Sequence, residues 1–154
     1  MIIMSTSNNL LNKDYMYMSI DYGLKKIGFA VGQLITKKAR PVKIIYHKNN
    51  KEDWGLIHSI IKEWRPNVIV IGYPYSKSKS KLLSLLEKFI SKLKSYYKDE
   101  IKVVTISEYL STEESKLVYS KIRESNYNII KRKDLDDISA SLILQSWFNE
   151  NMIE

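Results

Sequence analysis

The chain has 154 residues, 44% of them hydrophobic and 27% charged, which suits one ordinary folded domain and excludes global disorder. It contains no cysteine, so disulfides, thiolate metal sites and cysteine nucleophiles are excluded. The formal net charge of +8 favours a polyanionic partner such as RNA, DNA or an anionic membrane surface. The positive charge also has an alternative explanation: the chain is rich in Lys, Ile, Asn and Tyr, a bias that AT-rich coding would give any protein.

The beginning of the chain shows no regular hydrophobic pattern. We expect residues 1–14 to form a flexible extension and residues 15–150 to form one folded domain. The first residues have too short an apolar run and too little positive charge for a signal peptide. No later run approaches the roughly 20 apolar residues that span a bilayer. The sequence therefore predicts a soluble, cytoplasmic protein.

Two strand-like runs joined by a turn of glycine and lysine occupy residues 18–31, and Asp21 stands where the first run ends. Because strand residues alternate between faces, Asp21 shares a face with Ser19, and the opposite face is apolar. The pattern predicts a hairpin that holds Asp21 at the rim of a sheet. A carboxylate there could bind a metal, accept a proton or simply pair with Lys25 or Lys26.

The rest of the chain alternates strand-like and helical patterns. The predicted elements are a strand at 39–46, a helix at 53–65, a strand at 68–72, a helix at 82–93, a strand at 101–106 and helices at about 111–122 and 134–149. This order predicts an α/β fold with a mixed five-stranded sheet and helices on both faces. Active sites in open sheets lie beyond the carboxyl ends of strands, which selects Asp21, residues 73–81 and Glu108.

Three acids stand where an element starts or ends: Asp21, Glu108 after the fifth strand, and Asp136 in the last helix. Small residues at 139–141 would let that helix press close to the sheet, so the acids could converge. Converging carboxylates need a cation, and all-oxygen ligation suits Mg²⁺ or Mn²⁺. Two such ions could support phosphodiester cleavage. The same spacing also fits roles without a metal: Asp136 could stabilise the start of its helix, and Glu108 could be a solvated loop acid.

Cationic residues could form a path for nucleic acid. The lysines around Lys77 and the basic segment around Arg132 could meet phosphates, while Tyr73 and Tyr75 could stack on an unpaired base. A solvated lysine loop is the plainer interpretation. His47 shows no ligand spacing and is interpreted as an ordinary residue.

Five separated motifs, in order between about residues 16 and 148, strongly resemble those of the YqgF/RuvX family. They are Ile20-Asp21-Tyr22-Gly23-x-Lys25-Lys26-Ile27-Gly28, Ala39-Arg40-Pro41, Val70-Ile71-Gly72-x-Pro74, Glu108-x-Leu110-Ser111-Thr112 and Asp136-x-x-Ser139-Ala140. The resemblance implies an RNase H-like nuclease domain over 15–150. It also implies that Asp21, Glu108 and Asp136 are the catalytic acids and hold Mg²⁺ or Mn²⁺.

The resemblance further implies that Lys25 or Lys26 lies near the phosphate path and that Thr112 supports the strand end at Glu108. This chain also departs from the family pattern. It has Ser107 where an acid is usual, Leu24 where a threonine is common, and a different segment after the Gly-x-Pro motif.

The leading hypothesis is a metal-dependent endonuclease that trims the 5′ end of precursor 16S rRNA, with water as the nucleophile. Alternatives are a Holliday junction resolvase acting on DNA, and a catalytically weakened RNA-binding ribosome-assembly factor. An actin-like or sugar-kinase ATPase ranks low, because the chain is too short for two lobes. We expect precursor rRNA or branched DNA as the partner, no membrane, and a monomer or homodimer.

Overall fold

The computed structural model describes residues 10–74, 80–107 and 135–151, with residues 135–137 described by their backbone alone. The strands are β1 Tyr17–Tyr22, β2 Lys26–Gln33, β3 Lys38–Tyr46, β4 Val68–Tyr73 and β5 Lys102–Ser107, and the helices are α1 Trp54–Trp64, α2 Lys81–Tyr97 and α3 Leu135–Asn151. The predicted helix at about 111–122 lies outside the described residues. None of the described helices is long and apolar enough to cross a bilayer.

The strands form one mixed sheet in the order β3-β2-β1-β4-β5. The first three strands make an antiparallel meander, and β4 and β5 add parallel to β1 and to β4. The β-branched run of β4 is buried on both faces, as expected for a strand inside a parallel segment. Pro41 lies in β3, at the edge of the sheet, where a missing N–H is tolerated. The predicted five-stranded α/β architecture is confirmed.

Helices cover both faces of this sheet, as predicted. Helices α1 and α2 pack on the face that carries Ile20 and Phe29, and their apolar stripes form the larger core cluster. Helix α3 packs on the other face, where Leu144, Trp147 and Phe148 form a second core cluster with Tyr17. Successive side chains of β1 therefore point alternately towards two separate core clusters, one on each face of the sheet.

The ends of α1 follow directly from the sequence. Asp53 accepts a hydrogen bond from the backbone N–H of Leu56 at 3.2 Å and so caps the helix. The helix ends at Arg65, whose left-handed φ of 47° turns the chain just before Pro66. The short link that follows leads into β4, whose carboxyl end reaches the same edge of the sheet as Asp21.

Candidate active site

Asp21 is the next-to-last residue of β1 and is partly exposed at the rim of the sheet. Its neighbours Ile20 and Tyr22 are buried in the core beneath α1 and α2. Asp21 therefore faces the opposite side, together with Ser19, as the strand alternation predicts. A carboxylate at this position is accessible to ions and ligands without disrupting the core.

Glycines flank Asp21 on both neighbouring strands. Gly28 of β2 stands directly opposite Asp21, and the pairing of Ile20 with Ile71 places Gly72 of β4 beside it. Neither glycine has a side chain that could cover the carboxylate. An open depression of about 280 Å³ results, lined by Asp21, Gly23, Leu24, Lys25, Lys26 and Gly28. The structure thus brings Asp21 and the two predicted lysines to one surface.

His47 holds the β1–β2 turn, which contains Lys25 and leads into Lys26, the first residue of β2. The backbone N–H of His47 donates to the carbonyl of Lys25, and its Nε2 lies 2.9 Å from the carbonyl of Gly23. A carbonyl accepts only, so Nε2 carries the proton in this bond. Within the turn, the Gly23 N–H donates to the Lys26 carbonyl at 2.9 Å. The sequence interpretation missed this role, because periodicity does not reveal which residue contacts a turn.

Tyr22 supports the turn from the other face of the sheet. Its hydroxyl donates to the carboxylate of Glu52, and its ring packs against Phe89 and His47 at centroid distances of 4.8 and 5.6 Å. Burial, followed by the hydrogen bond to Glu52, raises the pKa of Tyr22 above its ordinary value. Tyr22 therefore keeps its proton, and its contacts with Glu52, Phe89 and His47 hold the backbone directly after Asp21.

Helix α3 is fastened to β1 beside the site. The hydroxyl of Ser19 donates to the carbonyl of Ala140 at 2.6 Å, and both residues are fully buried. The small residue Ala140 allows this close approach, as predicted from the sequence. Asp136 precedes Ala140 by one helical turn and belongs to α3, and its side chain is not described. The backbone that carries Asp136 is therefore fixed relative to the strand that carries Asp21.

Part of the predicted site lies outside the described residues, and those assignments stay predictions. They concern Tyr75, Lys77, Glu108, Thr112 and Arg132. Within the described part of the chain, no three acidic or histidine side chains form a metal-binding group.

The contacts of Tyr73 differ from the predicted stacking on an unpaired base. Its hydroxyl donates to the Glu87 carboxylate at 2.6 Å, and its ring packs against the core beneath α1 and α2. Strand alternation thus places Tyr73 on the face opposite Asp21.

The fold is that of the RNase H-like resolvases. The chain is similar to the Holliday junction resolvase of fowlpox virus, with a TM-score of 0.59, 20% identity, and coverage of 90% of this chain and 99% of that chain. It is also similar to T. thermophilus RuvC in complex with a Holliday junction substrate, with a TM-score of 0.59, 14% identity, and coverage of 90% and 96%. At these identities the likeness concerns the fold alone.

Residues 15–150 match the family model described as "RuvX: Holliday junction resolvase", and the chain belongs to this family. A relative from Buchnera aphidicola subsp. Acyrthosiphon pisum (strain Tuc7), named "Putative pre-16S rRNA nuclease", is 37% identical over 86% of this chain and 97% of its own length. A relative of the same name from Pseudomonas fluorescens (strain Pf0-1) is 33% identical over 88% and 93%. The family resemblance inferred from the five motifs is confirmed.

Proposed function

We propose that this protein is a metal-dependent endonuclease that hydrolyses phosphodiester bonds in the 5′-end maturation of precursor 16S rRNA. The observation that carries the proposal is the partly exposed Asp21 carboxylate between Gly28 and Gly72, with Lys25 and Lys26 beside it in the same depression. The names of the relatives, which match 86% or more of this chain, support the choice of substrate.

The Asp21 carboxylate at this rim is the type of ligand that a hard divalent cation prefers. We propose that Asp21, Glu108 and Asp136 together hold Mg²⁺ or Mn²⁺, because carboxylate oxygens are the ligands these ions prefer. When bound, such an ion supplies an activated water and stabilises the leaving oxygen. The Ser19–Ala140 hydrogen bond supports this assignment, since it ties the helix of Asp136 to the strand of Asp21.

The other residues of the rim bind and orient the substrate. Gly28 leaves room for a phosphodiester to approach the Asp21 carboxylate. Lys25 and Lys26 attract the phosphates on either side and position the strand without reading its sequence. His47 keeps these lysines in place by holding both ends of the turn.

Two other functions have specific support. Resolution of four-way DNA junctions is favoured by the family description, and it would favour a symmetric dimer presenting two sites. An RNA-binding assembly factor with weakened catalysis is favoured by Ser107, which stands at the end of β5 where an acid is usual in the family. Cytoplasmic location stays a prediction from the sequence.

Cleavage of two substrates in parallel tests the proposal. A precursor 16S rRNA 5′ fragment and a synthetic four-way DNA junction are incubated with the protein in Mg²⁺, Mn²⁺ or EDTA. We expect RNA cleavage in either metal and none in EDTA. Cleavage of the junction alone would establish the resolvase instead, and RNA binding without cleavage would establish the assembly factor.

A further inference from the structure

An exposed aromatic ring lies close to the candidate active site. Tyr46 is the last residue of β3, and 57% of its surface is accessible to solvent. It stands opposite Lys26 in the antiparallel pairing of β2 and β3. The Nζ of Lys26 lies over the tyrosine ring, 5.7 Å from its centroid, in a cation–π arrangement.

Tyr46 and Asp21 share a face of the sheet. The neighbour of Tyr46, Ile45, is buried beneath α1 and α2, so Tyr46 points to the other face. Along the sheet, Asp21 pairs with Gly28, and Gly28 pairs with Ile44, two residues before Tyr46. With strands about 4.8 Å apart and a rise of about 3.3 Å per residue, the Cα atoms of Asp21 and Tyr46 are about 12 Å apart.

The backbone next to Tyr46 is held at the edge of the depression. His47 follows Tyr46 directly and bonds to the carbonyls of Gly23 and Lys25 in the β1–β2 turn. Lys26 both lines the depression around Asp21 and places its Nζ over the ring of Tyr46. A strand whose phosphate lies in the depression would therefore pass close to the Tyr46 ring.

We propose that Tyr46 stacks on an unpaired nucleobase of the substrate, while Lys26 binds an adjoining phosphate. A separation of about 12 Å corresponds to at most about four stacked nucleotides at about 3.4 Å each. Aromatic side chains stack on bases of single-stranded segments and add affinity without reading sequence. This inference rests on the proposed function. It adds that the nucleic acid beside the cleaved bond is single-stranded.

Another tyrosine provides a matched control. Tyr96 in α2 is 51% exposed, close to the exposure of Tyr46, and its ring packs against Trp54 and His58. Helix α2 covers the face of the sheet opposite Asp21. Removal of the Tyr96 ring thus tests for non-specific effects of an exposed aromatic residue.

Binding of short RNAs to variants tests the stacking role. The probes are an oligouridylate and its counterparts with one abasic nucleotide at each position, and every protein carries Asp21→Asn to prevent cleavage. We expect Tyr46→Ala to raise the Kd for the intact probe about tenfold, within the range measured for base–aromatic stacking. Tyr46→Phe, which keeps the ring, and Tyr96→Ala should leave the Kd unchanged.

The abasic probes distinguish stacking from a general loss of binding. At one position the abasic nucleotide should weaken binding by the same factor, and Tyr46→Ala should then cause no further loss. An unchanged Kd for Tyr46→Ala, or an equal loss with every probe, would overturn the inference and leave the proposed nuclease intact. Absence of any RNA binding would overturn the inference, and the cleavage assay above would decide separately on the proposed function.

Discussion

Replacement of Ser19 by alanine tests the attachment of α3 to the strand of Asp21. The Ser19 hydroxyl and the Ala140 carbonyl are buried and lie 2.6 Å apart. Removing a neutral hydrogen bond costs about 0.5–1.5 kcal/mol. The Ala140 carbonyl is inside α3 and keeps its own helical partner, so Ser19→Ala should not leave it unpaired. We therefore expect a loss of about 1 kcal/mol in the free energy of unfolding.

This loss is small enough for the variant to stay folded in a cleavage assay. For a chain of this size, about 1 kcal/mol lowers Tm by roughly 2–4 °C, and domains have about 5–15 kcal/mol of stability. We nevertheless expect the cleavage rate of Ser19→Ala to fall severalfold, because α3 would hold the backbone of Asp136 less firmly against β1. Thermal unfolding and single-turnover cleavage at 25 °C measure the two effects separately.

Ile57→Val is the matched control for Ser19→Ala. Ile57 is fully buried in α1, beneath the opposite face of the sheet, and its truncation costs a similar 0.5–1.5 kcal/mol. This variant should lose stability without losing cleavage. The reasoning is refuted if both variants lose similar stability and both cleave as fast as the unmodified protein.

Two further substitutions test the packing of the sheet and the hydrogen bond of Tyr22. Gly32→Ala should destabilise the fold by about 1–3 kcal/mol, because a Cβ there would lie 2.5 Å from the Lys38 carbonyl oxygen and 3.1 Å from the Phe148 ring. Gly55→Ala in α1, with its nearest contact at an ordinary 3.5 Å, should be neutral or slightly stabilising in the same thermal unfolding assay, because alanine favours a helix over glycine. Tyr22→Phe should lose the hydrogen bond to Glu52 and so unfold more easily than the unmodified protein. The difference in free energy of unfolding between the two proteins should be constant below pH 10 and shrink above it. The sign follows because the pKa of Tyr22 is raised above 10.0 in the folded state, so the unfolded chain ionises first; an advantage in urea denaturation that grows above pH 10 would contradict it.

Local patterns predicted the framework of the site well. The alternation around Asp21 predicted which of its neighbours lie on each face of the sheet, because a strand has only two faces. The acid at position 53 predicted the start of α1, because a cap acts within one turn. The small residue Ala140 predicted the close contact between α3 and the sheet.

Contacts between distant segments could not be predicted in the same way. His47 contacts the β1–β2 turn and Tyr46 contacts Lys26 because the register between β2 and β3 brings residue 46 opposite Lys26. Hydrophobic periodicity predicts the face of a residue but not its partner across the sheet. In a chain rich in lysine and tyrosine, composition also gave no reason to single out this pair.

The central claim is that Asp21 holds a metal for phosphodiester cleavage, and its exchange for asparagine tests this most directly. Cleavage of the precursor 16S rRNA fragment is measured for the unmodified protein, for Asp21→Asn and for Asp99→Asn, an exposed acid beyond α2. A metal ligand contributes several kcal/mol to the transition state, so Asp21→Asn should lose at least about 100-fold in rate while Tm changes little. Asp99→Asn should cleave normally. Full cleavage by Asp21→Asn, or a loss of activity matched by a large loss of thermal stability, would contradict the account.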